Sequence, residues 1–278
     1  MEVMRKVVIA FLAVTALAVN LALAQLAADK AGLDKVATAA APKLVRPLPF
    51  KVGETLTYEI SFSKFIFSGT IGELKLLVEN GGGSKPELIA TRAVMESKGF
   101  FPKLFGMKVN NHFSALVSSE DFGLHMATRL IEEGDVRREQ KTVVDREKGR
   151  VTYTDRDLVN GKADPKIKES NSPSWVHDTI SALYYLRTQK LKEGDRLTLP
   201  VTDAGQVHDI PVVVGKSEEI KVDAGKFKTV QLDTKIFGLL VRRDGEMVRV
   251  TDDDRHIPVR ARIKTSAGTV TVSLKSIS

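Results

Sequence analysis

The chain has 278 residues, no cysteine, and 42 Lys and Arg against 35 Asp and Glu, for a formal net charge of +7. Without cysteine there is neither a disulfide framework nor a thiol nucleophile, so stability has to come from a hydrophobic core or from binding. The basic residues are spread along the whole chain, with no basic block interleaved with aromatics, which disfavours nucleic-acid binding.

At the N-terminus, Arg5 and Lys6 precede an apolar run from Val7 to Val19 and a small-residue stretch that ends Ala22-Leu23-Ala24. This three-part layout predicts a secretory signal over residues 1–24, cleaved near Ala24, and hence a periplasmic or secreted protein. Read through to Ala24, the run approaches the length of a bilayer span, but Asn20 interrupts it and no Lys or Arg follows at once. No stable transmembrane span is therefore expected after cleavage. The lack of cysteine also removes the attachment point for a lipid anchor. Loss of Glu2, Arg5 and Lys6 would leave a moderately basic chain, suited to anionic envelope surfaces.

Residues 25–47 are rich in Ala and Lys and hold no aromatic residue, and Pro42 and Pro47 break any helix there. A flexible linker is expected, followed by one β-rich domain over residues 48–278. From Glu54 the apolar residues fall into period two: Leu56, Tyr58, Ile60 and Phe62 share one face of a strand, and Leu74, Leu76 and Val78 repeat the alternation. Further strands are predicted over 88–97, 109–117, 123–131, 136–144, 151–154, 196–201, 207–222, 227–236, 246–251, 259–265 and 269–274. Strands in direct succession argue against a parallel α/β sheet and for an all-β fold, a single antiparallel open or closed β-barrel-like domain. One helix interrupts them near 175–188, with Ser174 as the expected N-cap and Val176, Ile180, Leu183, Tyr184 and Leu186 on its apolar face, plugging or covering the sheet. A short turn around Phe100–Phe105 is expected to add a second apolar cover.

The stretch Phe50-Lys51-Val52-Gly53-Glu54-Thr55-Leu56-Thr57-Tyr58 resembles the G-E-x-L-x-Y opening of an exported bacterial family catalogued as domain of unknown function 3108. The resemblance continues through Trp175-x-His177-Asp178 and Ser181 to Arg187, then Ala224-Gly225-Lys226-Phe227, then Asp253 to Val259. It implies a secreted or periplasmic β-rich protein and carries no activity onto particular positions. Where the family usually has a Trp in the strand before Asp253, this chain reads Met247-Val248-Arg249-Val250.

Two constellations invite a chemical reading. His177 beside Asp178 and Trp175 could act as a general base with its orienting carboxylate, an envelope hydrolase reading with Asp254 as a further candidate. The plainer alternative is that Asp178 serves the helix N-terminus and Trp175 staples it to the sheet. No Gly-x-Ser-x-Gly elbow supplies a nucleophile. Asp252-Asp253-Asp254-Arg255-His256 offers oxygen and imidazole ligands, with Asp252, Asp254 and His256 as metal candidates. Consecutive strand residues diverge, however, and the run lacks the alternation and Gly of a calcium loop. A polar turn tied down by Asp254 and Arg255 is the simpler expectation. Arg260, Arg262 and Lys264 form a basic stripe that reads as a solvated strand face. His112, His125 and His208 stand singly.

Phe62, Phe65, Ile66, Phe67, Phe100, Phe101, Leu104, Phe105, Phe113, Phe122 and Phe237 cluster near predicted strand ends and loops. A strongly curved sheet with one helix at its mouth can enclose a cavity. The expectation is thus a non-enzymatic periplasmic protein that binds or carries a lipid or other apolar or amphipathic envelope ligand, with Trp175, Tyr184, Phe62, Phe101 and Phe105 as candidate contacts. Its rivals are the hydrolase and a scaffold for envelope assembly. No cofactor is expected, and the sequence does not specify an oligomeric state.

Overall fold

The computed structural model describes residue 44 and residues 47–65, 67–82, 88–104, 106, 108–159, 164–234, 246–264 and 268–278. The expected signal, nearly all of the linker, Ile66, Phe105 and Phe237 lie outside the described residues, as do the side chains of Phe67, Phe101 and Leu104.

Among the described residues, fourteen antiparallel strands form one sheet. They are β1 (Thr55–Lys64), β2 (Phe67–Asn80), β3 (Leu88–Ser97), β4 (Asn110–Ser118), β5 (Leu124–Glu133), β6 (Val136–Asp145), β7 (Arg150–Asp157), β8 (Lys166–Asn171), β9 (Arg196–Asp203), β10 (Gln206–Val222), β11 (Gly225–Thr234), β12 (Glu246–Thr251), β13 (Pro258–Lys264) and β14 (Thr269–Ile277). Their order across the sheet is β8-β7-β6-β5-β4-β3-β2-β1-β14-β13-β12-β11-β10-β9, so β8 and β9 are its edges and the sheet is open. Two meanders meet at its centre, where β1 pairs with β14 from Leu56 opposite Ile277 to Ser63 opposite Thr269. Period two in β1 puts Leu56, Tyr58, Ile60 and Phe62 into the core and their neighbours outward.

Register shifts interrupt the pairing in β1, β4, β10 and β12. Such bulges sharpen local twist, and a sheet of this width curls rather than staying flat. The apolar side chains gather on its concave face. Leu56, Ala115, Leu124, Val151, Val212, Leu232, Val259 and Leu274 all belong to one large cluster, while Ile60, Phe62, Ile71, Met95, Val109, Ile263 and Val270 form a smaller one.

The chain passes from edge β8 to edge β9 through α2 (Thr179–Arg187), the longer of the two helices among the described residues; the other is the five-residue α1 (Phe100–Leu104). Every residue of α2 from Ser181 to Arg187 is buried, so the helix plugs the curl instead of lying over it. It begins later than the sequence indicates. The N-cap is Asp178 rather than Ser174, because residues 175–177 are needed in extended form: His177 N–H donates to Pro200 O at 2.9 Å and Thr202 N–H donates to His177 O at 2.7 Å. Nor does α1 act as an apolar cover at its first residue, since Phe100 is 69% exposed.

At its C-terminal end α2 is anchored by Arg187, whose guanidinium donates to Glu54 Oε1 at 2.5 Å and Oε2 at 3.0 Å and to Arg255 O at 3.1 Å. The same guanidinium lies over the rings of Phe50, at 5.0 Å, and Tyr184, at 5.3 Å. The Glu54 of the family-like opening thus holds the plug. Strand β8 has no apolar alternation: Ile167 is 61% exposed, and the strand is held by backbone pairing to β7. Lys166 and Lys168 on this edge discourage another strand from adding to it. Among the described residues no helix is long and apolar enough to cross a membrane.

Removing one partner of a buried ion pair strands the other, at a cost of about 3–5 kcal/mol. Glu54→Ala is therefore expected to lower the unfolding free energy by about 3 kcal/mol, measured by urea denaturation. The double variant Glu54→Leu/Arg187→Met, which leaves no orphaned charge, should recover part of that loss.

Candidate functional site

Asp178 works as a helix cap. Its Oδ1 accepts from Ser181 N–H at 2.8 Å and from Ser181 Oγ at 2.6 Å, while its own N–H donates to Ser181 Oγ at 2.9 Å. This reciprocal arrangement satisfies backbone donors that would otherwise be orphaned at the buried helix start. The carboxylate is engaged with Ser181, not aligned on His177. The imidazole itself is wholly buried, tilted against the Tyr185 ring at 4.5 Å and edge-on to Trp175 at 6.0 Å. Burial pushes its pKa down to about 3, with the Phe122 backbone and Asp121 opposing the shift only in part. Neither ring nitrogen makes a hydrogen bond of normal geometry. His177 is thus a neutral packing residue without solvent access, and a general base needs a substrate within hydrogen-bond reach.

The run Asp252–His256 is the turn between β12 and β13. Asp252 accepts from Ser217 Oγ at 2.6 Å and lies 2.8 Å from Lys228 Nζ, which together hold its carboxyl below the usual range. Asp253, rather than Asp254, ties down the turn: it accepts from Thr251 Oγ1 at 2.5 Å and from Arg255 Nη2 at 2.9 Å. Asp254 is exposed, and His256 sits at φ 43 with Nδ1 3.2 Å from Thr251 O. The side chains of Asp252 and His256 serve different partners, and among the described residues no three His, Asp or Glu converge as around a metal ion. Nor do the candidate ligand contacts form one site. Trp175 and Tyr184 are buried in the large cluster and Phe62 in the smaller one. The side chains of Phe101 and Phe105 fall outside the described residues.

A different set of residues gathers on the concave wall of β4–β7. Near α2 this wall is apolar, with Val117, Leu124, Val144 and Val151 buried. Further along the same strands it turns polar. Tyr153 comes first, then the cross-strand row Arg129, Gln140 and Asp155, then Asn111, whose Nδ2 donates to buried Glu133 at 2.7 Å. Arg129 reaches across the curl to Asp203 at the end of β9, Nη1 to Oδ1 2.7 Å, and Asp155 is paired with Arg138. Asp203, Asp178 and Tyr153 together outweigh the desolvation of Arg129 and raise its pKa. Burial, followed by Asp155, raises that of the Tyr153 hydroxyl.

The approach of β9 to this wall depends on Gly205. At φ +79, a Cβ there would lie 2.8 Å from Lys168 Cβ and 2.9 Å from Tyr153 Cβ, so only glycine lets the β9–β10 turn rest on β7 and β8. Within this assembly Gln140 Oε1, the Tyr153 hydroxyl and His208 Nδ1 are buried without a hydrogen-bond partner. Such groups are uncommon, cost about 1–3 kcal/mol each, and point to a missing partner. Among the described residues the wall offers hydrogen-bonding groups and paired charges.

Sequence alternation points to the wrong side of β5. Met126, Thr128 and Leu130 continue the parity of Leu124, yet Ala127, Arg129 and Ile131 face inward and Leu130 is 37% exposed. The cause is the register shift in the pairing with β4: Val117 opposes Leu124, but Leu116 opposes Met126, so His125 is the extra residue and parity flips after it. A Leu-rich parity beside one carrying Arg129 hides the polar wall; buried Gln140 and Asp155 on neighbouring strands are the signal that a bulge-aware reading would find.

The buried neutral His177 also makes stability depend on pH. Its folded pKa of about 3 lies below the ordinary unfolded value near 6.5, so between those limits the unfolded chain binds the extra proton. Stability is therefore full above about pH 6.5 and falls by up to about 1.4 kcal/mol per pH unit below it. Urea denaturation at pH 7, 6 and 5 should show this slope in the native protein and a shallower one in His177→Leu.

The model of the family described as Protein of unknown function (DUF3108) matches residues 57–275. No curated protein matches the sequence. Among solved structures the chain is similar to a β-barrel-like protein of domain of unknown function DUF1849 from Brucella abortus, with TM-score 0.48 and 12% identity over 82% of this chain and 97% of that one. It is also similar to a protein described as exported, with a YmcC-like fold, from Bacteroides fragilis: TM-score 0.33, 10% identity, covering 85% and 100% of the two chains. A protein described as a lipoprotein, from Parabacteroides distasonis, gives TM-score 0.30 and 8% identity over 82% and 96%. The family match runs from β1 to β14 and takes in α2, its cap and the polar wall; this chain belongs to the DUF3108 family of proteins of unknown function.

Proposed function

We propose that this protein is exported to the bacterial cell envelope, its signal removed near Ala24, and that it binds there the polar portion of an amphipathic envelope molecule without transforming it. The observation that carries this reading is the pair of unpartnered buried groups, Gln140 Oε1 and the Tyr153 hydroxyl, on a concave wall beside Arg129 and Asp203. Because α2 fills the apolar half of the curl, the ligand's headgroup, rather than an acyl chain sunk in the core, belongs against the wall. Hydroxyls, amides or an anionic group would satisfy these atoms. His177 and Asp178 serve structure in this reading, which leaves no acid–base pair at the wall.

Native mass spectrometry of protein purified from its own envelope tests this. The polypeptide mass should correspond to a chain starting at Gln25, with an additional mass released by organic solvent. Tyr153→Phe combined with Gln140→Leu should weaken binding about thirtyfold, as expected from losing two hydrogen bonds of about 1 kcal/mol each. A ligand-free native protein, or undiminished occupancy in a folded double variant, would overturn the reading.

A further inference from the structure

Antiparallel pairing brings several connections to the end of the sheet opposite the Glu54–Arg187 anchor. Lys64 pairs with Phe67 at the β1–β2 tip, and Thr269 lies opposite both Ser63 and Lys264, which places the end of β13 and the start of β14 at the same level. The β3–β4 connection joins them: Lys98 N–H donates to Ile71 O at 3.1 Å, and α1 packs against the adjoining end of β2. Gly134 N–H donates to Lys108 O at 2.8 Å, which adds the β5–β6 turn.

This rim exposes aromatic side chains. Phe65 is 94% exposed and Phe100 69%. Phe65 also sits at φ 53, a left-handed conformation that Gly or Asn adopts more readily. An aromatic residue is thus held in water, at a hairpin tip, against both its hydration and its backbone preference. Lys64 Nζ lies 5.8 Å from its ring centroid. Lys64, Lys103, Lys108 and Lys264 stand on the same rim outside any ion pair among the described residues, whereas Glu73 and Glu96 are engaged by Lys98. Against these lysines stand Asp135 in the β5–β6 turn and Glu132, which is engaged by Asn110 at 2.7 Å and Arg137 at 3.6 Å.

From this placement we infer that the rim is a membrane-docking surface, with Phe65 and Phe100 inserting at the interface of an anionic phospholipid bilayer and the flanking lysines facing its headgroups. The charge decides between occupants: two such rims brought together would oppose lysine to lysine, while an anionic bilayer neutralises them. Aromatic rings at headgroup level next to basic residues match what a lipid interface rewards.

Protein purified from its native envelope, stripped of bound molecules by organic extraction and refolding, can be pelleted with vesicles of phosphatidylcholine alone or with about one third phosphatidylglycerol. Binding is expected only to the anionic vesicles and should weaken as salt is raised. Phe65→Ser/Phe100→Ser should reduce partitioning about tenfold or more at unchanged thermal melting, and Lys103→Glu/Lys108→Glu should reduce it and flatten the salt dependence. Neither pair touches Gln140 or Tyr153, so loss of ligand occupancy and loss of vesicle binding are separable. Equal binding to neutral vesicles, full binding by the folded Phe variant, or a wild-type dimer that fails to pellet and is dissociated by the Phe substitutions would each overturn the proposal.

Discussion

The curl of this sheet depends on the backbone of the few residues that join its two edges. Ser174 O accepts from Arg146 Nε at 2.8 Å and Val176 O accepts from Leu124 N–H at 2.9 Å, which fixes the strap to the β5 side. One residue later His177 is bonded through both backbone groups to β9, an isolated parallel bridge in an otherwise antiparallel fold. A strap bonded to both arms leaves little freedom in how far apart the arms can open. It also fixes where α2 starts, so the cap on Asp178, the packing of Trp175 and His177 against Tyr185 and the anchor of Arg187 on Glu54 all follow from it.

That dependence explains why a His-Asp-Trp cluster can look catalytic and be structural. Three residues that must run extended between two strands, then turn at once into a helix buried from Ser181 onward, need one residue that caps and others that fill space. Asp and Ser satisfy the buried donors, and the neutral imidazole presents a flat, mostly apolar face to Tyr185. The expense of the arrangement falls on the two imidazole nitrogens, which lack good partners.

How far the sequence can be read depends on whether one face of each strand is unambiguous. In β1 it is, because Leu56, Tyr58, Ile60 and Phe62 keep one parity to the end, and the strand and its buried face appear where alternation puts them. In β8, Lys-Ile-Lys-Glu-Ser-Asn carries no buried face at all, and only pairing with β7 makes it a strand. In β5 the parity is present and misleading, because a bulge at His125 cannot be seen without the partner strand. The helix was legible in composition but not in its first residue, since Ser174 and Asp178 are both good caps and the choice between them is made by the hydrogen bonds of His177 to β9. The family resemblance was legible because its motifs sit at the structural joints: Glu54 and Arg187 in the anchor, Asp178 in the cap, Asp253 in the β12–β13 turn. The polar wall escaped because its members are spread over β4, β5, β6, β7 and β9, and tertiary folding alone makes them neighbours.

The topology also gives the molecule two unlike ends. In an antiparallel meander alternate connections return to the same end, so residues at the tips are sorted by the parity of the turn they occupy. Phe50, Phe122, Tyr184 and the Glu54–Arg187 pair lie at one end, where Phe50 packs edge-on against Phe122 at 5.7 Å and Tyr184 at 5.1 Å and the plug is sealed. The opposite end carries Phe65 and Phe100 on its tips, and toward it the inner wall of β4–β7 gains Tyr153, Arg129, Asn111 and Glu133 among buried apolar residues such as Ile131 and Val109. A core needed only for stability would have no reason to change character along its length, since apolar filling is at least as stabilising as paired charges in the same volume. On the proposed binding role, the end away from the plug supplies the contacts, its polar residues standing beside the smaller apolar cluster.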